Sequence, residues 1–283
     1  MRDHFCGWYF KCQSSGGTLA VIPAYHRVHG KTSCLIQIIT EKGSWNVNQP
    51  YERFEKSKKG FSINAGKNHF GEDGMELYIN EEDVAAAGRV SFGALTPIRY
   101  DIMGPFRFVP FMECRHSIVS MFHTVNGEIT VNGEKYVFKD GAGYIEGDRG
   151  YSFPKAYSWT QCFFDGGSLM LSVADIPFVT FGFTGIIGVV RIGENEYRIA
   201  TYKGAKAEKI KDGELVIKQG KLRFTAKLSE NIAHPLLAPV GGAMARTIRE
   251  NASCRARYKL EKEGRVLLEF ESNRASFEYE YPR

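Results

Sequence analysis

Polar and apolar residues alternate with a period of two in Leu222-Arg-Phe224-Thr-Ala226-Lys-Leu228, Ala256-Arg-Tyr258-Lys-Leu260, Val266-Leu-Leu268-Glu-Phe270 and Phe277-Glu-Tyr279-Glu-Tyr281. Successive side chains of a strand point to opposite faces, so each run predicts a half-buried β-strand. Between such runs stand Asn126-Gly127, Asn132-Gly133, Asp212-Gly213, Gln219-Gly220 and Glu263-Gly264. These dipeptides supply the positive φ angles of tight hairpin turns, and the pattern predicts an antiparallel meander. One short helix is expected, Glu81 to Ala87, with Asn80 as its N-cap and Gly88 as its stop.

The runs fall into two similar sets. Trp8-Tyr-Phe-Lys-Cys-Gln-Ser-Ser-Gly16-Gly17-Thr-Leu19 resembles Trp159-Thr-Gln-Cys-Phe-Phe-Asp-Gly166-Gly167-Ser-Leu169, with the Gly-Gly turn offset by one residue. Asp140 to Gly147 is answered by Asn273 to Glu280, and Pro105 to Pro110 more loosely by Pro235 to Pro239. We therefore expect an all-β chain of two tandem antiparallel domains, residues 1–150 and 151–283, each a β-barrel or a β-sandwich. Closing a sheet removes its exposed edges, and roughly eight strands closed into a barrel leave an interior able to hold one small ligand.

Composition agrees with this. Of 283 residues 43% are hydrophobic and 24% charged, and the 30 glycines with 20 Phe, 14 Tyr and 3 Trp lean toward a turn-rich β protein. The net charge of +5 comes from scattered Lys and Arg. The denser groups, Lys56 to Lys59 and Lys203 to Lys211, are short and interrupted, as in a solvated loop or strand edge, so nucleic acid is not an expected partner. The cysteines at 6, 12, 34, 114, 162 and 254 contain no Cys-x-x-Cys pair and no zinc-type spacing, and read as reduced core thiols. Met-Arg-Asp-His-Phe-Cys-Gly-Trp opens the chain without an apolar run, and Ile176 to Val190 is broken by Pro177, Gly182, Gly185 and Gly188. No integral membrane segment is expected, and a cytoplasmic protein is. A Gly-x-Ser-x-Gly elbow is absent, and the Gly-Gly pairs lack the strand-loop-helix setting of a phosphate site.

The densest chemistry lies where the halves meet, at Gly143-Tyr144-Ile-Glu146-Gly-Asp148-Arg149-Gly150-Tyr-Ser-Phe-Pro154-Lys-Ala-Tyr157-Ser-Trp159-Thr-Gln161-Cys162. Two carboxylates stand beside a run of aromatics, a mixture suited to acid chemistry on an apolar molecule. Glu146 and Asp148 are two apart, so on a strand they share a face with Cα atoms about 6 to 7 Å apart. Tyr144 shares that parity, while Tyr157, Trp159 and Gln161 share another; two facing strands would line one pocket.

The order aromatic-x-Glu, Gly, Ser-Phe-Pro, Trp-x-Gln in this stretch resembles the central signature of the tocopherol cyclases. Gly7-Trp8-Tyr9-Phe10-Lys11 is similar to their Glu-Gly-Trp-Tyr-Phe-Lys opening, and Met244-Ala-Arg246-Thr-Ile-Arg-Glu250 is a third matching segment. Where that family has Glu-Lys-Asn-Trp-Gly, this chain has Glu146-Gly147-Asp148-Arg149-Gly150. The resemblance implies tandem lipocalin-type barrels, related more distantly to the carotenoid hydratases and lipocalin-like pericyclases. It also implies a cyclase of the isomerase kind, which protonates a prenyl double bond so that a phenol oxygen closes a ring on the developing cation, with no metal, nucleotide or other cofactor. A lipophilic substrate is the implied partner.

On that resemblance Glu146 is the acid and Asp148 the second catalytic carboxyl, with Trp8, Tyr144, Tyr157, Trp159 and Gln161 around the substrate. A carboxyl in a dry pocket stays protonated because desolvation raises its pKa, and a second carboxylate raises it further. Aromatic faces stabilise positive charge, and Gln161 would hold a phenol or quinone oxygen. Two other readings stand beside this one. Glu-Gly-Asp-Arg-Gly also suits a loop with Asp148 and Arg149 facing water, and a double barrel can carry an apolar molecule without transforming it. His116 and His123 read as structural histidines hydrogen-bonded at strand ends. Arg246 and Glu250, four apart, suit an ion pair on a helical turn or a strand-end clasp. Trp8 and Tyr9 fit core packing as well as a pocket wall.

Overall fold

In the computed structural model, which describes residues 3–57, 60–110, 112–178, 181–230 and 232–282, the chain is all-β. Lys58 and Lys59 of the predicted basic group, and Val179 and Thr180 of the apolar segment, lie outside the described residues. The first sheet contains β1 (His4–Ser14), β2 (Gly17–Val28), β3 (Lys31–Thr40), β4 (Ser44–Gln49), β5 (Phe54–Lys56), β6 (Ser62–Ala65), β7 (Asn68–Gly71), β8 (Gly74–Asn80), β9 (Ala85–Phe92), β10 (Cys114–Val131) and β11 (Glu134–Gly150). The second contains β12 (Tyr157–Phe164), β13 (Gly167–Phe178), β14 (Phe181–Ile192), β15 (Asn195–Ala200), β16 (Lys206–Lys211), β17 (Glu214–Gln219), β18 (Leu222–Leu228), β19 (His234–Val240), β20 (Ala243–Lys262) and β21 (Arg265–Tyr279).

Strand order shows why the sheets curl. The first runs β4-β3-β2-β1-β11-β10-β9-β8-β7-β6-β5, so its outermost strands, β4 and β5, are consecutive in the chain. Laid flat, eleven strands would part those edges by about 48 Å. The linker Pro50 to Arg53 reaches no more than about 17 Å. The curl also brings the Tyr25 ring of β2 to 5.1 Å from Phe54 of β5 and 6.4 Å from Tyr51 of the linker. The second sheet runs β15-β14-β13-β12-β21-β20-β18-β17-β16, with β19 pairing beside β20. Its edges, β15 and β16, are again consecutive, joined by Thr201 to Ala205. The Gln219 side chain spans that seam: its Nε2 donates to Arg198 O at 2.9 Å and its Oε1 accepts from Ala200 N–H at 2.8 Å.

The chain forms two compact units. One comprises Met1–Ile98, Met112–Phe153 and Leu236–Thr247; the other comprises Arg99–Phe111, Pro154–Pro235 and Ile248–Arg283. In the first, Trp8, Phe10, Leu19, Ile36, Phe70 and Ile145 belong to one buried core. In the second, Cys162, Leu169, Val190, Phe224, Tyr258 and Phe277 do the same. The second unit holds its segment 99–110 through Arg198, whose guanidinium donates to Tyr100 O at 3.0 Å and lies 4.1 Å from the Tyr100 ring.

The two strand orders repeat, and register fixes the equivalences. Ser14 pairs with Gly17 and Phe164 with Gly167; Phe10 pairs with Ile145 and Thr160 with Phe277. Cys12 therefore corresponds to Cys162, and Glu146, opposite Tyr9, corresponds to Glu278, opposite Trp159. Aligning Trp8 with Trp159 is thus one residue out of register. On a strand that slip exchanges the faces, so Trp8 points into its core while Trp159 stands on the opposite face from Cys162.

Three other expectations are corrected. Glu81 to Ala87 is not helical: Glu81 N–H bonds Val84 O in a turn, and Ala85 to Ala87 enter β9, with Ala86 buried between Ile79 of β8 and Val131 of β10. Seven residues cannot nucleate a helix against two ladders of strand bonds. Asn126-Gly127 is no turn either. It lies inside β10 at a bulge, where a Cβ on Gly127 would come 2.3 Å from Arg89 O. Arg246 and Glu250 both lie on β20, and extended backbone stretches a four-residue spacing to about 13 Å, so no helical turn joins them. The other four dipeptides do sit at hairpin turns, with Asn132, Asp212 and Glu263 at φ 49°, 51° and 54°. All six cysteines are thiols and five are buried. Among the described residues no helix is long and apolar enough to cross a membrane.

Candidate active site

β10 and β11 run antiparallel across the first unit and deliver the site. Their ladder sets His116 opposite Asp148 and Ile118 opposite Glu146, while on the other side of β11 the strand β1 sets Tyr9 opposite Glu146 and Lys11 opposite Tyr144. Tyr144, Glu146 and Asp148 share one face of β11, as their spacing predicts, and Ile145 between them points into the core. Tyr144, Glu146, Tyr9, Lys11 and Ile118 are all buried. The Glu146 segment is therefore strand, and not the water-facing loop that the same residues also fit.

Five groups touch in series. The Tyr144 hydroxyl donates to Glu146 Oε2 at 2.6 Å. His116 Nε2 lies 3.1 Å from that same Oε2, an ionic contact off the axis of a linear hydrogen bond. The other ring nitrogen, Nδ1, is 2.9 Å from Asp148 Oδ1, and the Cys114 thiol donates to that oxygen at 3.3 Å. Side-chain exposure rises along the series from 6% at Glu146 through 9% at His116 to 23% at Asp148.

Electrostatics assign the protons. Burial pulls the His116 pKa down, but the charges of Glu146 and Asp148, with the Asp148 hydrogen bond, outweigh it and raise it well above the usual histidine range. Burial, with Glu146 beside it, lifts the Tyr144 phenol far up. Burial and Asp148 do the same to the Cys114 thiol. At neutral pH both groups are neutral donors and the imidazole is a cation. His116, Glu146 and Asp148 offer ligand atoms within 4.8 Å of one another, yet the two carboxylates meet opposite edges of the ring. An ion bound at either nitrogen would leave one carboxylate on the far side, so the trio suits a shared proton better than a metal.

No protein-family model matches the chain, and no curated protein is similar to it in sequence. Solved structures do align. An AttH-type protein from Nitrosomonas europaea matches with TM-score 0.55 and 11% identity over 100% of this chain and 94% of its own. Kievitone hydratase from Nectria haematococca matches with TM-score 0.57 and 11% identity over 98% and 89%. CghA with Sch210972 matches with TM-score 0.63 and 8% identity over 99% and 89%. The likeness is one of fold.

The remaining residues expected around a substrate are distributed differently from the carboxylates. Trp8 is buried in the first unit's core, against Gly147, with the Lys56 ammonium 4.7 Å from its ring. Its parity puts it on the face away from Glu146. Tyr157, Trp159 and Gln161 belong to the second unit, on the face of β12 away from Cys162, and all three are buried. There Tyr157 donates its hydroxyl to Glu278, Trp159 pairs with Glu278, and Gln161 pairs with Ser276.

His116 is the group that sequence reading assigned to structure alone. The signal was present in the hairpin: counted back from the Asn132-Gly133 turn, the ladder brings Ser117 opposite Asp148. Bulges within β10 shift the pairing to His116. His123, in contrast, fits the structural reading. It is buried, and its Nδ1 lies 3.0 Å from Ser120 Oγ. That hydroxyl already gives its proton to Phe122 O, so Nδ1 is the donor.

Proposed function

We propose that this protein protonates an alkene of a lipophilic small molecule at Glu146 and steers the resulting cation to hydration or to ring closure by a phenol oxygen. The observation that carries the reading is the buried Glu146 carboxyl, held by a neutral phenol and faced by an imidazolium. Such a carboxyl exchanges a proton with its neighbours rather than with bulk water. Tyr9, Tyr144 and Ile118 around it offer apolar contact and aromatic faces for a cation. A fold neighbour named a hydratase supports the same class of chemistry.

In this reading Asp148 serves the acid through His116, and Tyr144 lies beside the substrate. Trp8, Tyr157, Trp159 and Gln161 are proposed to contribute further substrate contacts, and prenylated phenols and hydroquinones of the tocopherol-precursor type are the substrates to try first. A cytoplasmic site of action completes the proposal. The test is product analysis after incubating the full chain with prenylated hydroquinones and prenylated flavonoids. Glu146→Gln is expected to lower turnover by about 10²- to 10⁴-fold while ligand affinity is retained. Unchanged turnover removes Glu146 as the acid, and binding without turnover by the unaltered protein makes it a carrier.

A further inference from the structure

Resting on that reading, we propose that the proton delivered at Glu146 is stored on His116, and that Asp148 is the positioning residue that keeps it there. The imidazole is clamped edge to edge, with Nδ1 2.9 Å from Asp148 and Nε2 3.1 Å from Glu146. An ionised Asp148 only accepts, so Nδ1 carries a proton and the ring is oriented with Nε2 toward Glu146.

Each carboxylate oxygen that touches the ring is also held by a neutral donor, Cys114 at Asp148 Oδ1 and Tyr144 at Glu146 Oε2. The groups facing the ring are thus Glu146, Asp148 and Tyr144 on β11 and Cys114 on its own strand, with Tyr9 of β1 opposite Glu146. Lys11 of β1, buried opposite Tyr144, is a second cationic side chain on this face, and His116 is placed in contact with both carboxylates. Burying one more charge without a partner is costly, and the arrangement avoids it by leaving the proton on the ring between the two anions.

Transfer then balances within the site. The Nε2–H bond breaks and an O–H bond forms on Glu146, leaving a neutral ring whose Nδ1–H stays on Asp148. The acid passes its proton to one alkene carbon, whose π pair forms the new C–H bond. Water or a phenol oxygen adds to the cation, and the proton it sheds returns to Glu146 and on to Nε2. No proton is consumed, and both nitrogens keep their orientation throughout.

Ring-nitrogen NMR of the full chain with labelled histidine, His116 assigned through His116→Gln, tests this without any substrate. An imidazolium is expected at neutral pH. Asp148→Asn should lose that signature, and Asp148→Glu should restore it. With a prenylated hydroquinone, Asp148→Asn should lower kcat while leaving KM in place. A neutral His116 in the unaltered protein overturns the inference, as does a ring that stays charged in folded Asp148→Asn. If the ring behaves as expected and no prenylated compound is converted, the proton store stands and the alkene-protonation reading falls.

Discussion

The Tyr144 hydroxyl donates a 2.6 Å hydrogen bond to Glu146, two residues farther along the same strand. One short piece of β11 thus carries both the carboxyl and the donor that holds it. Tyr144 is 0% exposed, so no water replaces the phenol when it is removed. Tyr144→Phe is expected to cost about 1.5–3 kcal/mol, the range for a buried hydrogen bond to a charged group. Denaturant unfolding measures it; a loss within error would mean that another donor takes over Glu146.

A second prediction concerns space. A Cβ on Gly143 would lie 2.1 Å from His123 Nε2, and the His123 ring already packs at 4.5 Å against Phe92. Gly143→Ala is expected to destabilise by about 1–3 kcal/mol, as overpacking does. Combined with His123→Ala, which vacates the clash, it should cost less than the sum of the two changes. Strict additivity in a double-mutant cycle would refute the contact.

The two histidines of β10 predict pH effects of opposite sign. His116 gains its proton on folding, so its contribution is complete below its unfolded pKa of about 6.5 and fades as pH rises through the raised folded value. His123 is the reverse, since burial pushes its pKa down to about 4. Its neutral ring is unpenalised above about 6.5, and below that the unfolded chain binds a proton that the fold excludes, at a cost approaching about 3 kcal/mol near pH 4. Urea unfolding across this range should show a shallower acid-side loss for His123→Phe than for the unaltered chain. Parallel curves would rule the assignment out.

The seam of the second barrel gives a prediction by hydrogen exchange. Gln219 bonds both Arg198 O and Ala200 N–H across it. Gln219→Leu keeps much of the volume and leaves the Ala200 amide, in a fully buried residue, without that acceptor. Loss of about 1–3 kcal/mol and faster exchange at Ala200 are expected. Protection unchanged at Ala200 would show that the side chain does not secure the seam.

Much of the fold was legible because its signals are local. A period of two marks a strand wherever one face is buried, and Asn132-Gly133, Asp212-Gly213 and Glu263-Gly264 take the positive φ that a tight turn needs. The shared face of Tyr144, Glu146 and Asp148 follows from the same periodicity. What escaped is what depends on register across strands. Asn126-Gly127 has turn chemistry, but flanking ladders absorb it as a bulge. Two further irregularities, between Ser120 and His123 and between Ile118 and Ser120, outweigh it and move His116 from one residue away to directly opposite Asp148. The repeat was visible, yet the one-residue slip between Trp8 and Trp159 exchanged inside for outside, because nothing local distinguishes the two faces of a strand buried on both.

In each barrel the opening strand lies beside the closing one: Phe5 pairs with Gly150, and Ser158 with Tyr279. A body whose beginning and end are neighbours can be copied head to tail, or re-cut at another loop, without threading the chain through itself. Such geometry makes tandem duplication topologically undemanding. It also leaves each copy free to keep a different polar residue at one inherited position, lysine at 11 and glutamine at 161.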